Sequence, residues 1–264
     1  MPALADRIET EHPELPPVHS YSSGHGKQIV FVHTGNTGSE AYFNLAERIK
    51  KDYSFAVIEP FNLYHPEEAT YGISNIAERY VRFLKEYQPQ GPYVLGGWCY
   101  GGIIAHEMAS QLQAAGEQVE CLFMLDSHVI DEEETRDAAV RMQRGVDREY
   151  FETAELFEGM KRRGMLENLI ENSAHVSQDL LAYRPSHYDG LCCYFRPKTI
   201  PMASIGADSE EYWRKMTYEH DAGGFENYLN HEKLVIRETP HEHDLMMDDP
   251  SLDIIVPEMY RILK

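Results

Sequence analysis

The sequence predicts an α/β fold, a mostly parallel, doubly wound sheet with helices on both faces and a helical lid inserted in the second half of the chain. Three observations predict it. Short β-rich apolar runs alternate with amphipathic helical patterns through the first 125 residues. The alternation then gives way to a long charged helical stretch, after which strand patterns resume. Finally, 264 residues with 42% hydrophobic and 26% charged side chains suffice for one sizeable core, so a single domain is expected.

Residues 1–26, rich in Pro, His, Ser and Glu, read as a linker, and the folded domain is expected over 27–264. Gln28 to His33 (QIVFVH), Ser54 to Ile58 (SFAVI), Pro92 to Leu95 (PYVL) and Val119 to Leu125 (VECLFML) are apolar runs suited to strands buried on both faces. Between them, Ser39 to Lys51 carries Ala41, Leu45 and Ile49 at helical spacing. Ile73 to Tyr87 carries Ile76, Tyr80, Phe83 and Leu84, and Tyr100 to Ala115 carries Ile103, Ile104, Met108 and Leu112. Repeated in this way, the pattern implies right-handed βαβ units. Residues 131–185 contain no convincing strand and read as a lid of two or three charged helices. Strand character returns at Leu191 to Phe195 and Lys233 to Arg237, and a last helix runs from Ser251 to Leu263.

Charge and cysteine usage exclude several function classes. A formal net charge of −20 disfavours a nucleic-acid partner, because phosphate backbones are bound through basic faces. No window is long and apolar enough for a membrane span, and the start MPALADRIETEHPE lacks the basic-then-apolar pattern of a signal peptide. Four cysteines are too few for a disulfide scaffold, so a reducing, cytoplasmic setting is expected.

The chemistry centres on Gly96-Gly97-Trp98-Cys99-Tyr100-Gly101-Gly102, between a predicted strand and a predicted helix. This is the setting of the G-x-S-x-G nucleophile elbow, in which a strained turn lifts a nucleophile above the sheet and flanking glycines let strand and helix pack closely. Here the middle residue is Cys99. A helix N-terminus and a nearby imidazole stabilise a thiolate, so cysteine is chemically suited to the position. The plainer alternative is a small buried cysteine under the helix, which leaves the glycines without purpose. For Cys121, Cys192 and Cys193, all in apolar runs, burial is the favoured reading.

The stretch GPYVLGGWCYGGIIAHEMASQLQAAGEQVECLFMLDS resembles type I thioesterase (chain-release) domains of nonribosomal peptide and polyketide synthases, members of the α/β-hydrolase superfamily, with cysteine for the usual serine. The segment PALADRIE near the start resembles the end of a carrier domain's final helix. The resemblance implies an upstream peptidyl or acyl carrier domain as partner. It also implies an acyl or peptidyl substrate delivered on that domain's 4′-phosphopantetheine, and no cofactor bound by the chain itself.

In α/β-hydrolases the order is nucleophile, acid, histidine. Asp126 ends the strand after the nucleophile helix, where the resembling domains carry their acid; a helix cap is its alternative role. The chain has 13 histidines, so position must decide. The segment TPHEHDLMM is similar to the family's Pro-Gly-Asp-His-x-x-Met-Leu loop, and aligning Pro240 and Met246 places the catalytic base at His243, with His241 as runner-up. A metal reading of His241 and His243 lacks further ligands, and no metal is expected. The polar turn His33-Thr34-Gly35-Asn36-Thr37-Gly38 reads either as a tight βα loop or as the source of one oxyanion-hole N–H, from Gly35, with Tyr100 N–H as the other.

Trp98, Tyr183 and Tyr188 are candidate substrate walls, with core packing as the alternative. Lys161-Arg162-Arg163, with Arg141 and Arg144, forms a basic cluster on the lid that reads as a carrier-docking patch or, more simply, a solvated helix face. An acyl-Cys99 intermediate keeps the reactivity of a thioester, so the expected reaction is release by intramolecular cyclisation to a strained lactone or lactam, or by aminolysis. A hydrolytic editing thioesterase, a small lactone hydrolase and a non-catalytic binding module are the alternatives. A serine deliberately replaced to trap an acyl-enzyme would leave the same sequence.

Overall fold

A computed structural model of the chain describes residues 16–22, 26–130, 133, 136, 137, 139, 140, 148–153, 157–201 and 207–264. Among these, seven strands form one sheet: β1 (Val18–Ser22), β2 (Gln28–Val32), β3 (Ser54–Ile58), β4 (Tyr93–Trp98), β5 (Val119–Leu125), β6 (Cys192–Pro197) and β7 (Leu234–Thr239). Their spatial order is β1-β3-β2-β4-β5-β6-β7, with every pairing parallel except that of β1 with β3. The helices are α1 (Phe43–Ile49), α2 (Phe61–Tyr64), α3 (Ile73–Tyr87), α4 (Tyr100–Ala114), α5 (Arg148–Thr153), α6 (Glu158–Arg162), α7 (Leu166–Ala182), α8 (Ala207–Tyr218) and α9 (Asp249–Leu263).

Side chains alternate across a strand, and both sheet faces here are covered, so the central strands are apolar beyond polar residues such as Gln28, Ser54 and Glu120 near their N-terminal ends. Val30 and Val32 of β2 pack with α3 and α4 on one face, through Ile76, Leu84, Ile104 and Met108. Ile29 and Phe31 pack with α1 and α9 on the other, through Leu45, Ile49, Ile255 and Met259. The same alternation sends the adjacent Cys192 and Cys193 to opposite cores. The fold is therefore the doubly wound α/β sheet expected.

Three differences from the expected elements have physical reasons. Val18–Ser22, inside the segment read as linker, is an antiparallel edge strand whose residues are mostly half-buried, so its sequence VHSYS carries no apolar run. Strand β4 continues past Leu95 through Gly96, Gly97 and Trp98, because both glycines keep their pairing with β2 and β5. A Cβ on Gly96 would lie 2.2 Å from the Phe31 ring, so the gap in β propensity makes room for that aromatic. Helix α8, between β6 and β7, was not anticipated.

The described part of the lid comprises α5, α6 and α7. It rests on the body through a small cluster of Leu63, Phe151, Phe157, Met160 and Leu169. Two polar ties reinforce the contact: Gly72 N donates to Asp179 Oδ1 (2.9 Å), and Asn172 Nδ2 donates to Asn36 Oδ1 (2.8 Å). Within the basic cluster, Lys161 pairs with Glu158 at 2.6 Å and donates to Glu152 O at 2.7 Å, whereas the Arg162 side chain is exposed. Arg141, Arg144 and the PALADRIE segment lie outside the described residues. No helix among the described residues is long and apolar enough to cross a membrane.

Candidate active site

Strand β4 delivers Cys99 to the N-terminus of α4 with φ 57° and ψ −124°, in the left-handed half of the map where a side chain is strained. Cys99 N donates to Leu125 O at 2.9 Å, which ties the turn to β5. The glycines make this geometry possible. A Cβ on Gly97 would lie 2.2 Å from the Gly101 carbonyl carbon, and one on Gly101 would lie 2.4 Å from His33 O. Beneath the turn, the buried Tyr42 hydroxyl donates to Val32 O (2.7 Å) and accepts from Trp98 N (2.9 Å). The strained thiol thus sits on a braced platform.

Asp126 follows the last residue of β5, also at positive φ (41°), and its N–H donates to Phe195 O at 2.8 Å. Its carboxylate is 3% exposed and is forked between two imidazoles. Oδ2 accepts from His243 Nδ1–H at 2.6 Å, and Oδ1 accepts from His128 Nε2–H at 2.8 Å. His243 stands in a short turn after β7 and is itself buried. With Nδ1 committed to Asp126, the other ring nitrogen of His243 is left for Cys99, whose sulfur raises the basicity of the ring. Cys99, Asp126 and His243 are therefore brought together in the connectivity of a nucleophile, an orienting acid and a base.

The electrostatics favour an ion pair. Burial alone would raise the Asp126 pKa, but His128 and His243 outweigh it and hold the carboxyl well below its usual range. For His243, burial works against the imidazolium, while the Cys99 sulfur and Asp126 overcome that penalty and hold its pKa well above the usual value. Such an imidazolium is the proton-bearing partner a cysteine nucleophile requires. By contrast, burial pulls His33, at the base of the neighbouring turn, down to about 4, so it is neutral; its Nε2 is hydrogen-bonded to Tyr80 Oη at 2.8 Å.

Cys99 and His243 open on a cavity of about 570 Å³. Thr34, Gly35, Asn36 and Thr37 form one wall, Trp98, Cys99 and His243 the floor, and the lid residues Tyr150, Phe151, Phe157 and Ser173 the roof. Glu40 and Asp244 add carboxylates to the rim. Tyr100 is the first residue of α4, so its N–H has no helical acceptor, and Gly35 lies on the cavity wall. Trp98 packs 5.4 Å from the His243 ring, and Trp213 of α8 packs 4.9 Å from it.

Tyr183 and Tyr188, expected as substrate walls, are instead core residues of the sheet face under α3 and α4. Tyr183 Oη donates to Glu107 Oε2 at 2.7 Å, and Tyr188 is fully buried, bridged to Leu229. They follow the lid in sequence but descend into the core in space. Sequence reasoning missed His128, Tyr212 and Trp213, and with them the lid residues Tyr150, Phe151, Phe157 and Ser173. His128 stands two residues after the acid, a signal too weak to single it out among 13 histidines. His241 is not among the residues that line the cavity or bind Asp126. Among the described residues no group of three or more His, Cys, Asp or Glu is arranged to hold a metal ion.

Comparison with known proteins identifies the family and the fold. The chain is 29% identical over 208 residues to a dimodular nonribosomal peptide synthase of Bacillus subtilis, covering 68% of this chain and 8% of that protein. It is 37% identical over 100 residues to the non-reducing polyketide synthase terA of Aspergillus terreus, covering 38% of this chain and 5% of that one. It thus spans under a tenth of these synthases. Among solved structures, the NocB thioesterase domain from the nocardicin cluster superposes with a TM-score of 0.65 at 24% identity, covering 92% of this chain and 98% of that one. The four-domain nonribosomal peptide synthetase holo-AB3403 gives a TM-score of 0.74 at 17% identity, covering 98% of this chain and 21% of that one; both show the shared α/β-hydrolase fold. The thioesterase domain family model matches residues 27–251, from the first buried strand, through the Cys99 elbow and the His243 turn, to the start of α9, and the chain belongs to that family.

Proposed function

We propose that this chain releases an acyl or peptidyl chain from a phosphopantetheinyl carrier through an acyl-thioester on Cys99, and passes it to a nucleophile other than water. The observation that carries the reading is the strained Cys99 sharing the lining of a cavity of about 570 Å³ with an Asp126-held His243. In the first step the Cys99 proton resides on His243 and the thiolate attacks the carrier thioester. The developing oxyanion is received by Tyr100 N–H and Gly35 N–H. The carbon–sulfur bond to pantetheine breaks, and the departing sulfur takes the proton from His243. In the second step an internal hydroxyl or an amine gives its proton to His243 and attacks the acyl-Cys99 carbonyl. Collapse expels Cys99 as the thiolate, still paired with the imidazolium.

The choice of acceptor follows from the nucleophile. A serine enzyme would fall to an oxoester after loading, whereas acyl-Cys99 remains a thioester, and loading is nearly isoenergetic. The stored reactivity is then available for closure of a strained lactone or lactam, or for aminolysis. Trp98 and Trp213 pack apolar surface against the His243 ring. The synthases that share similarity with this chain suggest a carrier domain upstream, and the acidic surface leaves carrier recognition to local features such as Arg162 on the lid.

Incubation with an acyl-pantetheine thioester, followed by intact-mass and product analysis, tests the proposal. The expected result is an adduct on Cys99, its loss in Cys99→Ala, and a cyclised or aminolysed product. Cys99→Ser should load as an oxoester and lose ring closure in favour of hydrolysis. Ring closure at the wild-type rate in that variant would overturn the thioester argument, and turnover unaffected by Cys99→Ala would overturn the nucleophile.

A further inference from the structure

The geometry points to His128 as a positioning residue for the acid, a clamp that joins Asp126 to helix α8 and keeps its second oxygen aimed at His243. The inference rests on the reading of Cys99, Asp126 and His243 as a working triad. It adds a fourth and a fifth side chain, His128 and Tyr212, that touch no reacting atom.

Four observations carry it. First, the Asp126 carboxylate is almost fully buried, yet its side-chain hydrogen bonds among the described residues come only from two imidazoles. A buried carboxylate needs donors on both oxygens; with one oxygen bare it turns or takes up a proton. His128 Nε2–H is the donor on Oδ1, so the aim of Oδ2 at His243 Nδ1 depends on it. Second, the other nitrogen of His128 is anchored: Nδ1 lies 3.1 Å from Tyr212 Oη, within hydrogen-bond reach. Third, Trp213, the next residue of α8, packs 5.5 Å from the His128 ring and 4.9 Å from the His243 ring. One helix therefore braces both imidazoles that flank the acid. Fourth, positive φ at Asp126 turns the chain sharply enough for His128, two residues on, to reach back to the carboxylate. Ser127 between them is fixed as an acceptor for Tyr194 Oη at 2.7 Å.

Burial is the largest influence on Asp126, and it favours the neutral acid; the two imidazoles reverse it. Removing His128 takes away part of that compensation. The hydrogen bond that holds the His243 imidazolium weakens, and Cys99 loses reactivity at neutral pH. The other titratable groups facing this network are Tyr194 of β6 and Tyr212 of α8, both kept protonated by burial, and the rim carboxylates Glu40 and Asp244. None of them donates to Asp126.

The test reads the thiolate without any acyl substrate: the rate of Cys99 alkylation by iodoacetamide against pH, with the Cys99→Ser chain as blank. The three other cysteines are buried, so Cys99 dominates the signal. In His128→Phe the midpoint of the profile is expected to rise by about one unit, which at neutral pH slows alkylation about tenfold. His128→Gln keeps an N–H at the same number of bonds from Cβ and should stay within about threefold of wild type. Tyr212→Phe should move the profile in the same direction by less. If His128→Phe does not fold, Tyr212→Phe carries the test. A His128→Phe profile that matches wild type overturns the inference, as does equal failure of His128→Gln and His128→Phe, or an unmoved profile in Tyr212→Phe. A wild-type Cys99 that alkylates like a free thiol overturns the proposed triad itself, so the two failures are distinct.

Discussion

Gly97→Ala attacks the elbow at its tightest contact. The added methyl would lie 2.2 Å from the Gly101 carbonyl carbon, 2.4 Å from its oxygen and 2.5 Å from Gly102 N. All three obstacles are backbone atoms of α4, so no side-chain rotation relieves them. Ordinary contacts between carbon atoms lie at about 3.5 to 4.0 Å, so α4 must withdraw by about 1 Å or β4 must buckle. Overpacking of this kind costs about 1 to 3 kcal/mol, which for a domain of this length lowers the melting temperature by about 2 to 12 °C. Catalysis should suffer more. Cys99 travels with α4 while His243 is held by Asp126 at the end of β5, and a misplacement of about 1 Å costs about a hundredfold in rate. The assay is acyl-adduct formation on an acyl-pantetheine substrate, followed by intact mass, beside a thermal melt. Gly159→Ala, whose added methyl meets nothing within 4 Å, is the control. Acylation within about threefold of wild type at an unchanged melting temperature would refute the requirement for glycine at this contact.

Asp126→Asn should keep the fold and lower acyl transfer by about a thousandfold to ten-thousandfold, because the amide no longer fixes the His243 tautomer; a loss under tenfold in single-turnover kinetics contradicts this. Asp126 also sets a pH window for stability: its folded pKa is depressed, so its contribution is present above the unfolded value of about 3.9 and is lost as pH falls through the lower folded value. His243 has the opposite sign, its folded pKa being raised, so its contribution is full below about 6.5 and is lost as pH rises through the higher folded value. Melting temperatures across pH should therefore decline less steeply on the acid side in Asp126→Asn and on the alkaline side in His243→Gln, and parallel curves would contradict the assignment. Tyr183→Phe leaves the buried Glu107 carboxylate with Gln111 as its remaining side-chain donor and should cost about 1 to 3 kcal/mol in denaturant unfolding. Its acylation rate should be unchanged; a selective loss of substrate binding would return Tyr183 to the cavity wall.

How much of this was legible in the sequence varied with the physical source of each signal. Ser54–Ile58 and Ile73–Tyr87 were legible to the residue. The first is buried on both faces and so apolar after Ser54, and the second shows its stripe of Ile73, Ile76, Ala77, Tyr80 and Leu84 against polar neighbours. The elbow was legible because close strand and helix packing demands glycine at Gly97 and Gly101, a constraint that leaves a written mark. Strand β1 left none, since an edge strand with mixed burial needs no apolar run. Tyr183 and Tyr188 were misplaced because nearness to the lid along the chain does not fix which face of the sheet a side chain enters. His128 was illegible for a subtler reason. Its reach back to the acid depends on positive φ at Asp126, a conformation normally announced by glycine and here imposed on an aspartate.

That imposed conformation has a counterpart in the nucleophile. The two non-glycine residues at positive φ among those described are Cys99 and Asp126, which end neighbouring parallel strands and are joined by the Cys99 N–H to Leu125 O bond. Strain of this kind persists only where surroundings over-determine it. At Cys99 they are the glycine contacts and the Tyr42 brace; at Asp126 they are the two imidazoles and the Phe195 carbonyl. The geometry of attack is thus stored in backbone that would serve serine equally well. On the proposed function, what cysteine alters is the energy of the intermediate, which would stay a thioester and spend its reactivity in the second step. On the same reading, an active site whose geometry is independent of the nucleophilic atom leaves the choice of acceptor to the identity of that atom.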